Sequence, residues 1–167
     1  QVPWHEKYSY VEDHFARVGT ALTRGKPLVR VGVIHPVESY WLHWGPGEHT
    51  RLTRNQMDEN FQRFINWMLL GTVDFDYICE ANLPTQCAVE GAPLNVGEMN
   101  YTTVIVPCCE TIRSSTLDKL EAYVAAGGRL IFAGDVPTLV DAVPSDRAAR
   151  LAQKSICIPF EKRAILE

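Results

Sequence analysis

TTVIVPCCETIRSSTLDKLEAYVAAGGRLIFA, residues 102–133, is the stretch that decides the fold. Two short and almost continuously apolar runs, at 102–107 and 129–133, flank a segment whose apolar side chains recur at helical spacing. Continuous apolarity in so short a run is typical of a strand covered on both faces, as in a parallel sheet. The stretch therefore predicts a strand, a helix and a second strand parallel to the first.

The ends of the predicted helix follow from the residues that flank it. Ser114 and Ser115 are residue types that cap helix N-termini, and Asp118 is placed to complete a capping arrangement. Gly127 and Gly128 are expected to end the helix, because glycine adopts the left-handed C-cap conformation at low cost.

Further strand and helix patterns lie on both sides of this unit. The sequence predicts strands at 28–34, 74–79 and 156–158, helices at 52–70 and 145–153, a long loop at 35–50, and no firm period at 80–101. Strands that alternate with helices indicate an α/β domain with a mostly parallel sheet and right-handed crossovers.

The N-terminal segment carries a different pattern. Its apolar residues recur in steps of four and three, at Trp4, Tyr8, Val11, Phe15, Val18 and Leu22. This spacing predicts an amphipathic helix, which either covers its own sheet or faces another domain. We therefore divide the chain into an amphipathic helix at 1–27, an α/β domain at 28–160 and a C-terminal tail at 161–167.

Composition restricts the classes of partner. The 167 residues carry a net charge of -4 without a Lys/Arg run, which argues against nucleic acid. No apolar stretch approaches the roughly 20 residues of a membrane span, so no membrane partner is expected. Five cysteines without a CxxC pair favour reduced thiols and a cytoplasmic location. A sequence that begins with Gln1 favours a processed chain or a piece of a longer one.

Chemically useful residues follow the predicted strands, at the sheet edge where ligands bind in such folds. His35 and Glu38 follow the first strand, and Cys108, Cys109 and Glu110 follow the third. A thiolate near a histidine can be a nucleophile, although no glycine-flanked nucleophile elbow surrounds these cysteines. A nucleophilic thiol and a merely packed thiol both stay open.

The segment after the first strand is rich in aromatic residues. Tyr40, Trp41 and Trp44 could stack on sugar rings, or they could pack inside the domain or in an interface. The histidines of this segment lack HxH and HxxxH spacing, so no metal site is predicted. No glycine-rich loop follows the first strand, so neither a nucleotide nor a flavin cofactor is predicted.

Three segments carry a resemblance to known enzymes. VIHPVESYW (33–41), TVIVP (103–107) and LDKLEAYVAAGGRLI (117–131) resemble the trimerisation domain of family 42 β-galactosidases and a related module of α-L-rhamnosidase-like enzymes. The resemblance covers about residues 28–140. It implies a flavodoxin-like three-layer sandwich, similar to class I glutamine amidotransferases, that follows a TIM barrel with the catalytic carboxylates. Residues 10–22 then resemble the last barrel helix.

The resemblance also bears on chemistry. Class I glutamine amidotransferases place a nucleophilic cysteine just after a central strand, and Phe132 holds that position when the chains are aligned by Ala133-Gly134. Amidotransferase chemistry is therefore expected to be absent, although Glu38 matches in type an acidic residue of that superfamily.

Two functions follow from these observations. The first is a non-catalytic accessory domain of a bacterial glycoside hydrolase in carbohydrate metabolism, which contacts the preceding catalytic domain of the same parent chain, forms a homo-oligomer and places aromatic residues near the sugar. The alternative is a stand-alone cysteine hydrolase that uses Cys108 or Cys109 with His35 and Glu38.

Overall fold

The computed structural model describes residues 3–167. After a 3-10 turn at His5–Lys7, the helices are α1 (Tyr8–Leu22), α2 (Val37–Leu42), α3 (Gly47–Leu70), α4 (Leu83–Gln86), α5 (Ser114–Ala125), α6 (Arg147–Ala152) and α7 (Lys162–Leu166). The strands are β1 (Val31–Ile34), β2 (Phe75–Ile78), β3 (Leu94–Val96), β4 (Met99–Tyr101), β5 (Thr103–Pro107), β6 (Thr111–Ile112), β7 (Arg129–Ala133), β8 (Leu139–Val140), β9 (Val143–Pro144) and β10 (Ile156–Ile158).

The centre of the molecule is a five-stranded parallel sheet in the order β10-β7-β5-β1-β2. Numbered along the chain, these strands lie in the order 2-1-3-4-5, which is consistent with a flavodoxin-like layout. The predicted α/β class and the parallel main sheet are confirmed. A hairpin of β3 and β4 and a small sheet of β6, β8 and β9 lie outside the main sheet.

Both faces of the sheet are buried, as the continuous apolar runs predict. Val104, Val106 and Phe132 belong to the core cluster that includes α5 and α6. Ile105 and Ile131, which alternate with them along β5 and β7, pack with residues of α3 on the opposite face. Alternate side chains of one strand therefore enter two different cores, and helices cover the sheet on both sides.

The largest correction concerns the predicted loop at 35–50. It contains α2 and the first turn of α3, which begins at Gly47 rather than near Leu52. A helix of six residues is too short to show an apolar period, and the segment is dense in aromatic and polar residues, so its pattern indicated a loop. The strand predicted at 28–34 is shorter than expected and begins at Val31, since Leu28 is exposed to solvent.

The predicted N-cap of α5 is wrong. No serine side chain caps this helix; its first N–H groups, from Arg113 and Ser114, donate to carboxylates of Glu80 (2.8 Å) and Asp141 (3.0 Å). Charged acceptors from neighbouring loops bind N–H groups more strongly than a serine hydroxyl does. The predicted C-terminus is confirmed, because Gly127 has φ of 86° directly after the helix.

Helix α1 confirms the amphipathic pattern of the N-terminal segment. None of its residues is buried within the described part of the chain, and Phe15 and Leu22 are 66% and 75% exposed. The apolar face therefore does not pack on the sheet of its own domain. In residues 3–167 no helix has the length and apolarity that crossing a membrane requires.

The C-terminal tail ends in a helix. Ile165 of α7 packs into the core cluster of Phe64 and Met68, which belong to α3. Leu166 lies so close to Gly71 that a Cβ at that glycine would be 2.4 Å from a Leu166 methyl carbon. The last residues thus extend the helical layer on the α3 side of the sheet.

Candidate functional site

A cleft of about 870 Å³ opens at the carboxyl edge of the parallel sheet. The strand order reverses between β1 and β5, because β1 leads to β2 on one side and β5 leads to β7 on the other. Loops that leave such a pair of strands in opposite directions form the crevice in which α/β sheets bind ligands. Residues after β1, β5, β7 and β10 line the cleft, and residues 52–64 of α3 form its opposite wall.

Five of the eight predicted site residues line this cleft: His35, Tyr40, Cys108, Cys109 and Glu110. Glu38 and Trp41 line a second pocket of about 340 Å³ beside α2 and β6, and Trp44 lines neither of these two. The structure therefore brings these five side chains together at one edge of the sheet, and whether they form a functional site stays a prediction. Tyr40 and Trp41 line different pockets, because successive residues of a helix such as α2 point in different directions.

Aromatic rings form the wall beneath α3. The centroids of His35, Phe61 and Tyr77 lie 5.2 to 5.4 Å from one another. Burial lowers the pKa of His35, so its imidazole is neutral near pH 7. Burial also raises the pKa of Tyr77 to about 12, and its buried hydroxyl has no hydrogen-bond partner in the described residues.

Ser39 fixes the loop after β5. Its buried hydroxyl accepts hydrogen bonds from the N–H groups of Glu110 (2.9 Å) and Thr111 (3.1 Å) and donates to the Thr111 carbonyl (3.2 Å). These bonds join α2, which follows β1, to the segment that follows β5. The Ser39 side chain therefore holds the two sides of the strand-order reversal together.

A second side-chain contact also joins the segment after β1 to the segment after β5. His43 Nε2 lies 2.5 Å from a Glu110 carboxylate oxygen at the rim of the cleft. A short contact between an imidazole and a carboxylate is typical of a charge-assisted hydrogen bond. Glu110 therefore has a partner of its own, which orients it.

The carboxylate of Glu38 points away from the cleft. It accepts from Arg113 at 2.7 Å, and the Arg113 N–H donates to Glu80. Glu80 is almost fully buried, and burial raises the pKa of its carboxyl group, while the Arg113 backbone N–H opposes that shift. These residues hold the start of α5 in place, and Glu38 has no contact with a thiol that would suit catalysis.

Neither cysteine of the 108–109 pair is activated. Burial raises the pKa of both thiols, and Cys109 is buried in the core. The Cys108 thiol faces the Ala133 carbonyl at 3.5 Å, and no hydrogen bond joins either thiol to a histidine in residues 3–167. A nucleophilic thiol requires the opposite environment, with a lowered pKa and an adjacent base.

The two tryptophans of the aromatic segment are exposed rather than packed inside the domain. Trp41 is 56% and Trp44 70% exposed, and the Arg54 guanidinium lies over the Trp44 ring at 5.0 Å. Of the interpretations offered by the sequence, packing inside this domain is therefore wrong. Contact with a partner surface or with a sugar stays a prediction.

Several residues of the cleft were missed from the sequence. Phe61 showed only the core spacing of a helix, and Tyr77 lay inside a short predicted strand, so neither pointed to a site. Ser39 and His43 fell in the predicted loop. Recognition of α2 as a helix would have placed Ser39 on the side that faces the β5 loop.

The arrangement can enclose a small molecule, and it lacks an activated nucleophile at the cysteines. Within residues 3–167 no three His, Cys, Asp or Glu side chains form a group that could hold a metal ion. Comparison with models of known protein families, with curated proteins and with solved structures finds no match for this chain.

Proposed function

We propose that the chain is a non-catalytic accessory domain of a glycoside hydrolase that contacts the preceding catalytic domain and a second copy of the protein. One observation carries this proposal: helix α1 presents its whole apolar face to solvent. Phe15 and Leu22 of this helix are 66% and 75% exposed, and Trp4, just ahead of it, is 60% exposed. A contiguous apolar stripe of this kind marks an interaction surface.

The strand order of the sheet supports a fold of the class I glutamine amidotransferase type. The 2-1-3-4-5 order suits a flavodoxin-like sandwich of the class I glutamine amidotransferase type. Phe132, which takes the position of the amidotransferase cysteine, is fully buried in β7. A phenyl ring packed in a core supplies no nucleophile, which agrees with a domain that contributes contacts.

The exposed tryptophans suit the carbohydrate part of the proposal. Trp41 and Trp44 offer aromatic faces on the outside of the domain, and sugars stack on such faces. Arg54 already covers one side of Trp44, so Trp41 is the better candidate for contact with a sugar bound by a neighbouring catalytic domain.

The test uses the complete reading frame that encodes this chain. The proposal expects a TIM-barrel glycosidase to be encoded ahead of Gln1. The complete protein is expected to hydrolyse aryl glycosides, and the 167-residue chain alone is expected to release no aryl alcohol. Turnover by the chain alone, or a start codon directly before Gln1, would contradict the proposal.

The cysteine-hydrolase alternative has its own test. Because burial raises the pKa of the Cys108 thiol, its alkylation by iodoacetamide at pH 6 to 7 should be slower than that of free cysteine. The exposed Cys79 and Cys157 serve as internal controls, with the labelled peptides followed by mass spectrometry. Labelling of Cys108 or Cys109 ahead of both controls would support a reactive nucleophile instead.

A further inference from the structure

The cleft at the strand-order reversal has no part in the contacts proposed for α1. Its volume of about 870 Å³ lies within the roughly 300–1,000 Å³ typical of small-molecule sites. Ser39 and the His43–Glu110 pair both join the segment after β1 to the segment after β5 at its rim. A cavity whose walls are fixed before a ligand arrives loses little entropy on binding.

The walls of the cleft are largely apolar. Met57, Phe61 and Phe64 of α3 form one side, and Pro107, Val136 and Phe160 contribute to the other. A ligand that fits these walls gains free energy by moving an apolar or aromatic body out of water. A small hydrophilic ion gains little there and loses its hydration.

The charged side chains of the lining all have the same sign. Asp58 and Asp135 contribute carboxylates, Glu110 adds a third that is paired with His43, and no lysine or arginine of the described residues lines the cleft. His35 is neutral near pH 7, because burial lowers its pKa. An anionic ligand would therefore meet repulsion without a compensating cation.

One polar side chain that lines the cleft has no hydrogen-bond partner in residues 3–167. The His35 imidazole lines the cleft beside Tyr77, and in the described residues only the backbone N–H of His35 makes a hydrogen bond, to the Ile78 carbonyl. A half-buried imidazole without a partner leaves a donor and an acceptor that a ligand can satisfy. His35 sits beside the Phe61 ring, so a ligand with a polar atom next to an aromatic ring would satisfy the imidazole.

We propose that this cleft binds one small neutral or cationic molecule that has an aromatic or apolar body and a hydrogen-bonding group, and that it discriminates against anions. The class of ligand is argued from the lining of the cleft alone and does not depend on the accessory function proposed above.

Two dyes with the same rings provide the test. N-phenyl-1-naphthylamine is neutral, and 8-anilinonaphthalene-1-sulfonate adds one sulfonate to the same skeleton. The neutral dye is expected to bind the chain with a stoichiometry of one, and about tenfold more tightly than the sulfonate at low salt. Fluorescence titration measures both affinities, and added NaCl should narrow the difference by screening the carboxylates.

Variants locate the binding. Asp58→Asn combined with Asp135→Asn should strengthen binding of the sulfonated dye by about threefold or more and leave the neutral dye unchanged. Asp13→Asn combined with Asp74→Asn changes the net charge equally, at exposed positions outside the cleft, and should alter neither affinity.

Absence of one-site binding by the neutral dye would overturn the proposal. Equal responses of the two double variants would overturn it as well, since the dye would then lie elsewhere, for instance on α1. Neither result depends on glycosidase turnover, so failure here is distinguishable from failure of the proposed accessory function.

Discussion

Ser39 joins the two halves of the cleft through a hydroxyl that is almost completely buried. Replacing it with alanine would leave the N–H groups of Glu110 and Thr111 without their acceptor. A buried N–H that loses its partner costs about 1–3 kcal/mol. We expect Ser39→Ala to lower the free energy of unfolding by about 2–3 kcal/mol, measured by urea denaturation.

Ser115→Ala is the matched control for this substitution. Ser115 lies in the first turn of α5 and makes no side-chain hydrogen bond to the described residues, so its loss should change stability by less than about 0.5 kcal/mol. Equal effects of the two substitutions would show that the Ser39 hydroxyl does not fix the β5 loop.

Glu80 predicts a specific dependence of stability on pH. Burial raises the pKa of this carboxyl group above its value in the unfolded chain, so the folded state holds the proton more tightly. Between the unfolded and the folded pKa the native protein therefore binds more protons, and its stability falls as pH rises through that window. Above the folded pKa the penalty of the buried charge is constant.

Glu80→Gln removes that charge and keeps an oxygen that can accept from the Arg113 N–H. The free energy of unfolding of the variant should rise relative to that of the parent as pH increases from 5 to 8. Urea unfolding at each pH measures both values. Glu98→Gln, at a position 81% exposed, should show no such trend. A Glu80→Gln variant that loses stability progressively with pH would show that the carboxylate stabilises the fold.

At the scale of elements, the sequence was sufficient where a segment is long or buried on two sides. β5, α5 and β7 lie within two residues of their predicted bounds, because continuous apolarity and the Gly127 C-cap are local features. α2 could not be predicted, since six residues show no period. The N-terminus of α5 could not be predicted either. Its N–H groups donate to Glu80 and Asp141, which only the tertiary structure brings close to the helix.

Part of the candidate site could likewise be predicted from the sequence, and part could not. Residues directly after β1 and β5 were predicted to meet, because parallel strands bring their carboxyl ends to one edge. The opposite wall comes from α3, and the spacing of Phe61 along a helix does not reveal which side chains border a cavity. Glu38 also could not be separated from the cleft until the direction of α2 was known.

Helix α7 shows that the last residues contribute to stability. Ile165 is half-buried against the core residues of α3. Ile165→Ala should lower the free energy of unfolding by about 1–2 kcal/mol, less than for a fully buried isoleucine. Lys162→Ala, on the exposed side of the same helix, should stay within about 0.5 kcal/mol of the parent, and equal effects would show that α7 is not docked.

The whole molecule has two surfaces that no part of the described chain covers, the cleft and the apolar face of α1, and they differ in shape. The cleft is a concave surface braced by hydrogen bonds, whereas the apolar face of α1 is a convex stripe without a buried residue. A small ligand can fill the first, and only a large apolar surface can cover the second. The cleft and α1 are therefore expected to respond independently to substitution.

That difference leads to a prediction for the isolated chain. Without its proposed catalytic partner, α1 is expected to pair with α1 of a second copy, so the mass measured by sedimentation velocity should rise above 18.8 kDa with concentration. Val11→Lys combined with Phe15→Lys should restore the monomer, because charges on the apolar face must be buried on association. Glu12→Gln with Asp13→Asn changes the net charge equally on the polar face and should leave association intact. A constant mass of 18.8 kDa for the parent chain, or equal dissociation of both variants, would contradict the role of α1 as a contact surface.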